Sequence, residues 1–201
     1  MRVTEQKFRD QAQQHWMFFR QWMRAPLSTA SVVPSSRYLA KHMVAQVPGH
    51  AHAVIELGAG TGVFTQELLD SGLPASRLMV VELNLELYHK LSARFVGAKI
   101  LNADAAQLPS LVRETENMEV GEVDAVLSGL GLLNMPQGVV RDILLGAFEV
   151  LRPGAPFIQF TYGPRCPVDE RLRRELGIKA RRTSFTLRNF PPASVYVLSR
   201  S

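Results

Sequence analysis

The sequence predicts an α/β fold: a doubly wound, mainly parallel sheet of seven strands that ends in an antiparallel pair, with extra helices at the N-terminus. Three observations carry that expectation. From residue 53 onward, short apolar runs alternate with amphipathic stretches. A glycine-rich turn, Gly58-Ala59-Gly60-Thr61-Gly62, joins the first apolar run to the first such stretch. Near the end, two strand-like segments flank Pro191-Pro192, which suits an antiparallel pair at the sheet margin.

Residues 4–24 read as an amphipathic helix. Phe8, Ala12, Trp16, Phe19 and Met23 recur at the spacing of one face, while Arg9, Asp10, Gln13, Gln14, Arg20 and Arg24 fall largely on the other. Pro26 ends it. Pro34-Ser35-Ser36 opens a second helix to about residue 47, with Ser35 or Ser36 as N-cap, and Pro48-Gly49 breaks the chain. Residues 1–48 are therefore expected to form a helical N-terminal region, and residues 49–201 the α/β domain. Within the latter, 53–57, 78–82, 98–101, 123–128 and 156–162 read as buried strands, with helices over 63–71, 85–95 and 139–151. A short helix over 168–176 precedes the terminal strands 178–188 and 194–199.

Composition narrows the classes. A chain of 201 residues, 46% apolar and 20% charged, can bury a full core and is not a disordered tail. The single Cys166 excludes an internal disulfide framework and a Cys-rich zinc module, and suits a reducing compartment. His15, His42, His50, His52 and His89 have no metal-ligand spacing, so no metal is expected. No apolar run reaches the ~18 residues of a membrane span, and no signal-peptide core precedes a small-residue cleavage site. The net charge of +5 is unevenly spread: residues 1–48 carry +5, residues 49–162 carry −6 and residues 163–201 carry +6. Basic ends around an acidic centre point to an anionic partner, nucleic acid or a lipid surface. Arg171, Arg173, Arg174, Lys179, Arg181 and Arg182 make up much of the second basic cluster.

The most specific local signal is Val54-Ile55-Glu56-Leu57-Gly58-Ala59-Gly60-Thr61-Gly62. An apolar strand runs into alternating glycines, which let a ligand approach the backbone, and then opens a helix whose first N–H groups favour an anion. A dinucleotide fingerprint would place the third glycine one residue later, where Val63 stands. Glu82, in Val80-Val81-Glu82-Leu83-Asn84, closes the second strand where a carboxylate can accept ribose hydroxyls; Asp104, in Asn102-Ala103-Asp104-Ala105, closes the third. This pattern resembles class I S-adenosylmethionine-dependent methyltransferases, whose fold is Rossmann-like. The resemblance implies S-adenosyl-L-methionine as cofactor, held by Glu56, Gly58, Ala59, Gly60, Gly62, Glu82, Leu83, Asp104, Ala105 and Ser128, with Asp104 beside the adenine amino group.

The acceptor must be read elsewhere, because fold does not give substrate. The fourth strand leads into Ser128-Gly129-Leu130-Gly131, which lacks the polar amide and the aromatic that base methyltransferases commonly place there. Five segments together are similar to bacterial phospholipid N-methyltransferases: Phe18-Phe19-Arg20-Gln21-Trp22; Pro34-Ser35-Ser36-Arg37-Tyr38; Ser128-Gly129-Leu130 with Leu133-Asn134-Met135-Pro136; Gln159-Phe160-Thr161-Tyr162-Gly163-Pro164; and Arg188-Asn189-Phe190-Pro191-Pro192. That likeness implies stepwise methylation of the phosphatidylethanolamine amine at the inner face of the cell membrane, by a cytoplasmic, peripherally bound protein with no obligatory nucleic acid partner. Trp16, Phe19, Arg20, Trp22 and Arg24 are then the expected lipid-facing residues, and Tyr162 the expected catalytic side chain, orienting the amine. The alternatives are a soluble methyltransferase acting on RNA (adenine N6) or on a small amine, and a cofactor-binding relative without catalysis.

Overall fold

The computed structural model describes residues 32–162, 164–186 and 192–200, with side chains described from residue 37 onward. The expected helix over 4–24, with Trp16, Phe19, Arg20, Trp22 and Arg24, lies outside the described residues, as do Gly163 and 187–191.

The first described helix, α1 (Val32–Val44), starts before Pro34 rather than at a serine cap after it. Proline is tolerated in a first helical turn because its missing N–H has no intrahelical acceptor there. The strands follow the apolar runs: β1 (Val54–Leu57), β2 (Leu78–Val81), β3 (Lys99–Leu101), β4 (Ala125–Ser128), β5 (Phe157–Tyr162), β6 (Ile178–Thr186) and β7 (Ala193–Arg200). They form one sheet in the order β3-β2-β1-β4-β5-β7-β6. The pairs up to β5 are parallel, and β7 pairs antiparallel with both β5 and β6. The expected doubly wound sheet with its terminal antiparallel pair is thus observed.

The connecting helices are α2 (Val63–Asp70), α3 (Leu85–Arg94), α4 (Leu108–Arg113), α5 (Gln137–Val150) and α6 (Glu170–Glu175). Two sequence expectations need correction. The 98–101 run is the edge strand β3, with Lys99 exposed, and is not fully buried. The segment after it, unassigned from periodicity, forms a 3-10 turn (Ala105–Gln107) that continues into α4, with a proline in the first helical turn.

Two apolar layers cover the sheet. On one face Ile55, Leu57, Val126 and Phe157 pack with Leu108, Val112, Ile143, Leu144 and Ala147 of α4 and α5. On the other, Val54, Val80, Leu127 and Ile158 pack with Leu39 and Met43 of α1, Leu68 of α2 and Leu91 of α3. At the amino end of the sheet, the buried Asp124 accepts the backbone N–H of His52 and Ala53 and pairs with Arg152 at 3.0 Å, so its charge is compensated. That leaves the opposite, carboxyl edge of the parallel strands for the glycine turn, as the rule for open α/β sheets requires.

Candidate active site

The glycine turn is built by backbone conformations that a side chain would oppose. Gly58, Gly60 and Gly62 all have positive φ, at 67°, 59° and 80°. A Cβ on Gly62 would lie 2.5 Å from the Phe95 ring, so the helix α2 can start only where no side chain intrudes. Across the turn, the Gly129 N–H donates to the Leu57 carbonyl at 2.8 Å, and a Cβ on Gly129 would lie 2.5 Å from the Gly58 carbonyl oxygen. The loop after β4 is therefore seated directly on the glycine turn. Leu130 completes the contact, its side chain resting where a Cβ on Gly58 would go.

Glu82 stands one residue past β2 and is fully buried. Its Oε2 accepts the Gly60 N–H at 2.9 Å and its Oε1 accepts the Asn84 N–H at 2.9 Å. Burial pushes its carboxyl up, and those N–H bonds oppose the shift. Glu56, inside β1, is also fully buried; its Oε2 accepts the Thr65 hydroxyl at 2.6 Å, while Oε1 has no protein partner. Burial raises its carboxyl to about 8, against the lowering effect of the Thr65 bond. An orphaned, buried carboxyl oxygen beside a glycine turn leaves polar bonding that an N–H- or O–H-bearing group would satisfy.

Asp104 lies three residues beyond β3, where it caps the 3-10 turn, Oδ1 accepting the Ala106 N–H at 2.9 Å. Its side chain is exposed and Ala105 beside it is buried. Leu83 is 46% exposed, leaving an apolar surface beside Glu82. Ser128 is buried at the end of β4, its Oγ accepting the Leu130 N–H at 3.3 Å. Tyr162 is half-buried at the end of β5, edge-on to Phe160 at 5.4 Å; Phe160 is in turn edge-on to Phe64 of α2 at 5.7 Å. The structure thus brings the Glu82 carboxyl onto the glycine turn, seats the Ser128–Leu130 loop against it, and links Tyr162 through edge-on rings to α2, the helix that follows the turn.

Three further residues shape this edge, none of them given a site role by the sequence. Thr65 holds Glu56, and its signal was a polar residue on the buried side of α2. Asn102 donates through Nδ2 to the carbonyls of Glu82 and Leu83, at 2.9 and 3.0 Å, which ties the ends of β2 and β3 together. Gln159, fully buried, donates through Nε2 to the carbonyls of Leu130 at 2.9 Å and Phe160 at 2.8 Å, so β5 holds the loop after β4 in place. A lone amide inside an apolar run was visible, but its partner lies 29 residues away.

These residues fit S-adenosylmethionine. The glycine turn permits close backbone approach, the buried orphan of Glu56 faces unmet bonding, Glu82 offers a carboxylate for ribose hydroxyls, and Leu83 offers an apolar wall. Among solved structures, the fold is similar to 1,6-didemethyltoxoflavin-N1-methyltransferase of Burkholderia thailandensis with bound S-adenosylhomocysteine (TM-score 0.63, 16% identity, 94% of this chain and 88% of that one). It is similar as well to a TehB-like SAM-dependent methyltransferase from Corynebacterium glutamicum (TM-score 0.61, 11% identity, 94% of this chain and 100% of that one). The fold is that of the class I S-adenosylmethionine-dependent methyltransferases. The expected cofactor agrees with that fold. The chain spans about half the length of two other structures it resembles, CurJ carbon methyltransferase (50%) and PH0851 (46%). In sequence it is 29% identical over 182 residues to the ornithine lipid N-methyltransferase of Singulisphaera acidiphila, covering 90% of this chain and 93% of that protein. No family model matches the sequence.

Proposed function

We propose that this methyltransferase transfers the methyl group of S-adenosylmethionine to the headgroup amine of a membrane lipid, phosphatidylethanolamine and its partly methylated forms, working at the membrane surface. The observation that carries the reading is the likeness to an ornithine lipid N-methyltransferase, which runs over 90% of the chain and so extends beyond the cofactor-binding turn that all class I enzymes share. An ornithine lipid is accordingly the second acceptor to offer. The loop after β4 supports an alkylamine over a base, since Ser128-Gly129-Leu130-Gly131 brings no ring to stack on and no side-chain amide.

The bound cofactor supplies an activated sulfonium methyl group, so the chain's task is placement. Glu82, the glycine turn and the exposed Leu83 would hold the nucleoside, Asp104 its adenine amino group, and Glu56 with Thr65 the amino-acid end. An alkylammonium titrates near 10, as lysine does, and must lose its proton before it can attack. No histidine or carboxylate stands in 128–136 to take it. Tyr162, at the end of β5, is the side chain proposed to orient the amine, and its ring face suits the cationic product.

The test is methyl transfer from labelled S-adenosylmethionine into phosphatidylethanolamine, and in parallel into an ornithine lipid, in liposomes containing an anionic lipid, with total RNA as a third acceptor. Label in either lipid supports the reading, and the ratio between them gives the headgroup preference. Label confined to RNA, or to neither while the cofactor still binds, overturns it.

A further inference from the structure

The outer strand β6 carries a feature that cofactor binding does not use. It runs antiparallel to β7, which runs antiparallel to β5, so β6 points the same way as β5. Ala193 pairs with both Tyr162 and Thr186, which places the end of β6 at the same sheet edge as Tyr162. In a regular strand, residues three apart face opposite sides. Here the register passes from Arg182 opposite Tyr196 to Ser184 opposite Val195, so Thr183 is an extra, bulged residue. The bulge brings Arg182 and Phe185 to one face, with the guanidinium 5.9 Å from the ring centroid. Phe185 is 48% exposed. Lys179 and Arg181 are exposed on the other face of the same strand. Among the described residues, no ion pair engages Arg181 or Arg182, whereas Arg174 on the neighbouring α6 is paired with Glu170.

Charges alone would be accounted for as protection of an open sheet edge. A half-exposed phenylalanine is not, because it adds the apolar surface that such protection removes. A ring beside cations suits the boundary between headgroups and acyl chains of an anionic bilayer. We propose that β6, the outermost strand of the sheet, docks edge-on against an anionic lipid bilayer, with Phe185 and Arg182 aligned by the bulge on one side of that edge and Arg181 and Lys179 on the other. Docking there turns the carboxyl edge of the sheet, with Tyr162, toward the headgroups. The inference rests on the lipid-acceptor reading above.

The test uses the full chain and compares wild type, Phe185→Ser, Phe185→Trp and the double variant Arg181→Ser/Arg182→Ser. Flotation with phosphatidylglycerol-containing vesicles is measured against pure phosphatidylcholine vesicles, alongside cofactor affinity and lipid methylation in neutral detergent micelles. Partition onto the anionic vesicles should fall roughly fivefold for Phe185→Ser and about tenfold for the double variant, and stay at least at wild-type level for Phe185→Trp. Cofactor affinity and micellar turnover should remain within about twofold of wild type. Flotation of Phe185→Ser or of the double variant at wild-type level, or a loss of cofactor affinity in proportion to flotation, overturns the docking surface. Absence of lipid methylation by the wild type in micelles would instead defeat the acceptor reading, independently of the vesicle result.

Discussion

Glu82 concentrates the cofactor question in one side chain. Its two oxygens already accept two backbone N–H groups, one of them from the glycine turn, so Glu82→Ala removes both a proposed ribose ligand and a brace of the turn. Losing charge-assisted bonds of this kind costs about 1.5–3 kcal/mol each, so cofactor affinity should fall at least tenfold in a calorimetric titration. Unchanged affinity would refute the ribose assignment. Tyr162→Phe should lower turnover severalfold while leaving cofactor affinity within about twofold, since general acid–base or orienting groups act on the reacting centre rather than on the nucleoside; equal turnover would remove Tyr162 from the site. Glu56 supplies a pH signature. Its carboxyl is raised from an ordinary 4.5 to about 8 by burial, so in the cofactor-free protein the folded state holds a proton that the unfolded state has released. That contribution is fully present below about 4.5, declines as pH rises, and is lost above about 8. Denaturant unfolding of Glu56→Gln should therefore gain on wild type across that window and level off beyond it. Parallel stability curves would place the carboxyl in a different protonation state.

At the scale of elements, the site depends on one close meeting of loops. The turn after β1 and the loop after β4 touch through Gly58 and Gly129, with Gln159 of β5 holding the second loop by the Leu130 carbonyl. Gly129→Ala would put a methyl group 2.5 Å from the Gly58 carbonyl oxygen, which only backbone movement can relieve. Overpacking of this sort costs about 1–3 kcal/mol, which in a chain of this size lowers the melting temperature by roughly 2–10 °C. Cofactor affinity should fall with it, and an unchanged melting temperature in scanning calorimetry would mean that the two loops are not in contact. The elements themselves were largely legible, because β1, β2, β4 and β5 are apolar runs and α2, α3 and α5 have clear apolar faces. The meeting of Gly58 with Gly129 was not, since each glycine alone reads as an ordinary turn residue.

For the whole molecule, the charge pattern predicts how it meets its partner. The +5 at the N-terminal 48 residues includes Lys7, Arg9, Arg20 and Arg24, close in sequence to Phe8, Trp16, Phe19 and Trp22, and each basic residue near an anionic leaflet contributes about 1 kcal/mol. Deleting residues 1–24 should therefore reduce flotation with anionic vesicles at low salt, leaving the part that β6 supplies. Flotation retained in full by the truncated chain would assign membrane contact to the C-terminal basic region alone. The sequence by itself determined the α/β class, the glycine turn and the acidic residue after β2, because strand period, backbone freedom and position after a strand are local properties written in neighbouring residues. Only the tertiary structure decided that Thr65 and Asn102 serve the two glutamates, that Gln159 holds the loop of Leu130, and that Arg182 and Phe185 share a face. Each of those rests on a hydrogen bond or a strand register between segments distant in the chain, and a register is chosen by packing on both sides of the sheet rather than by any one strand's own residues.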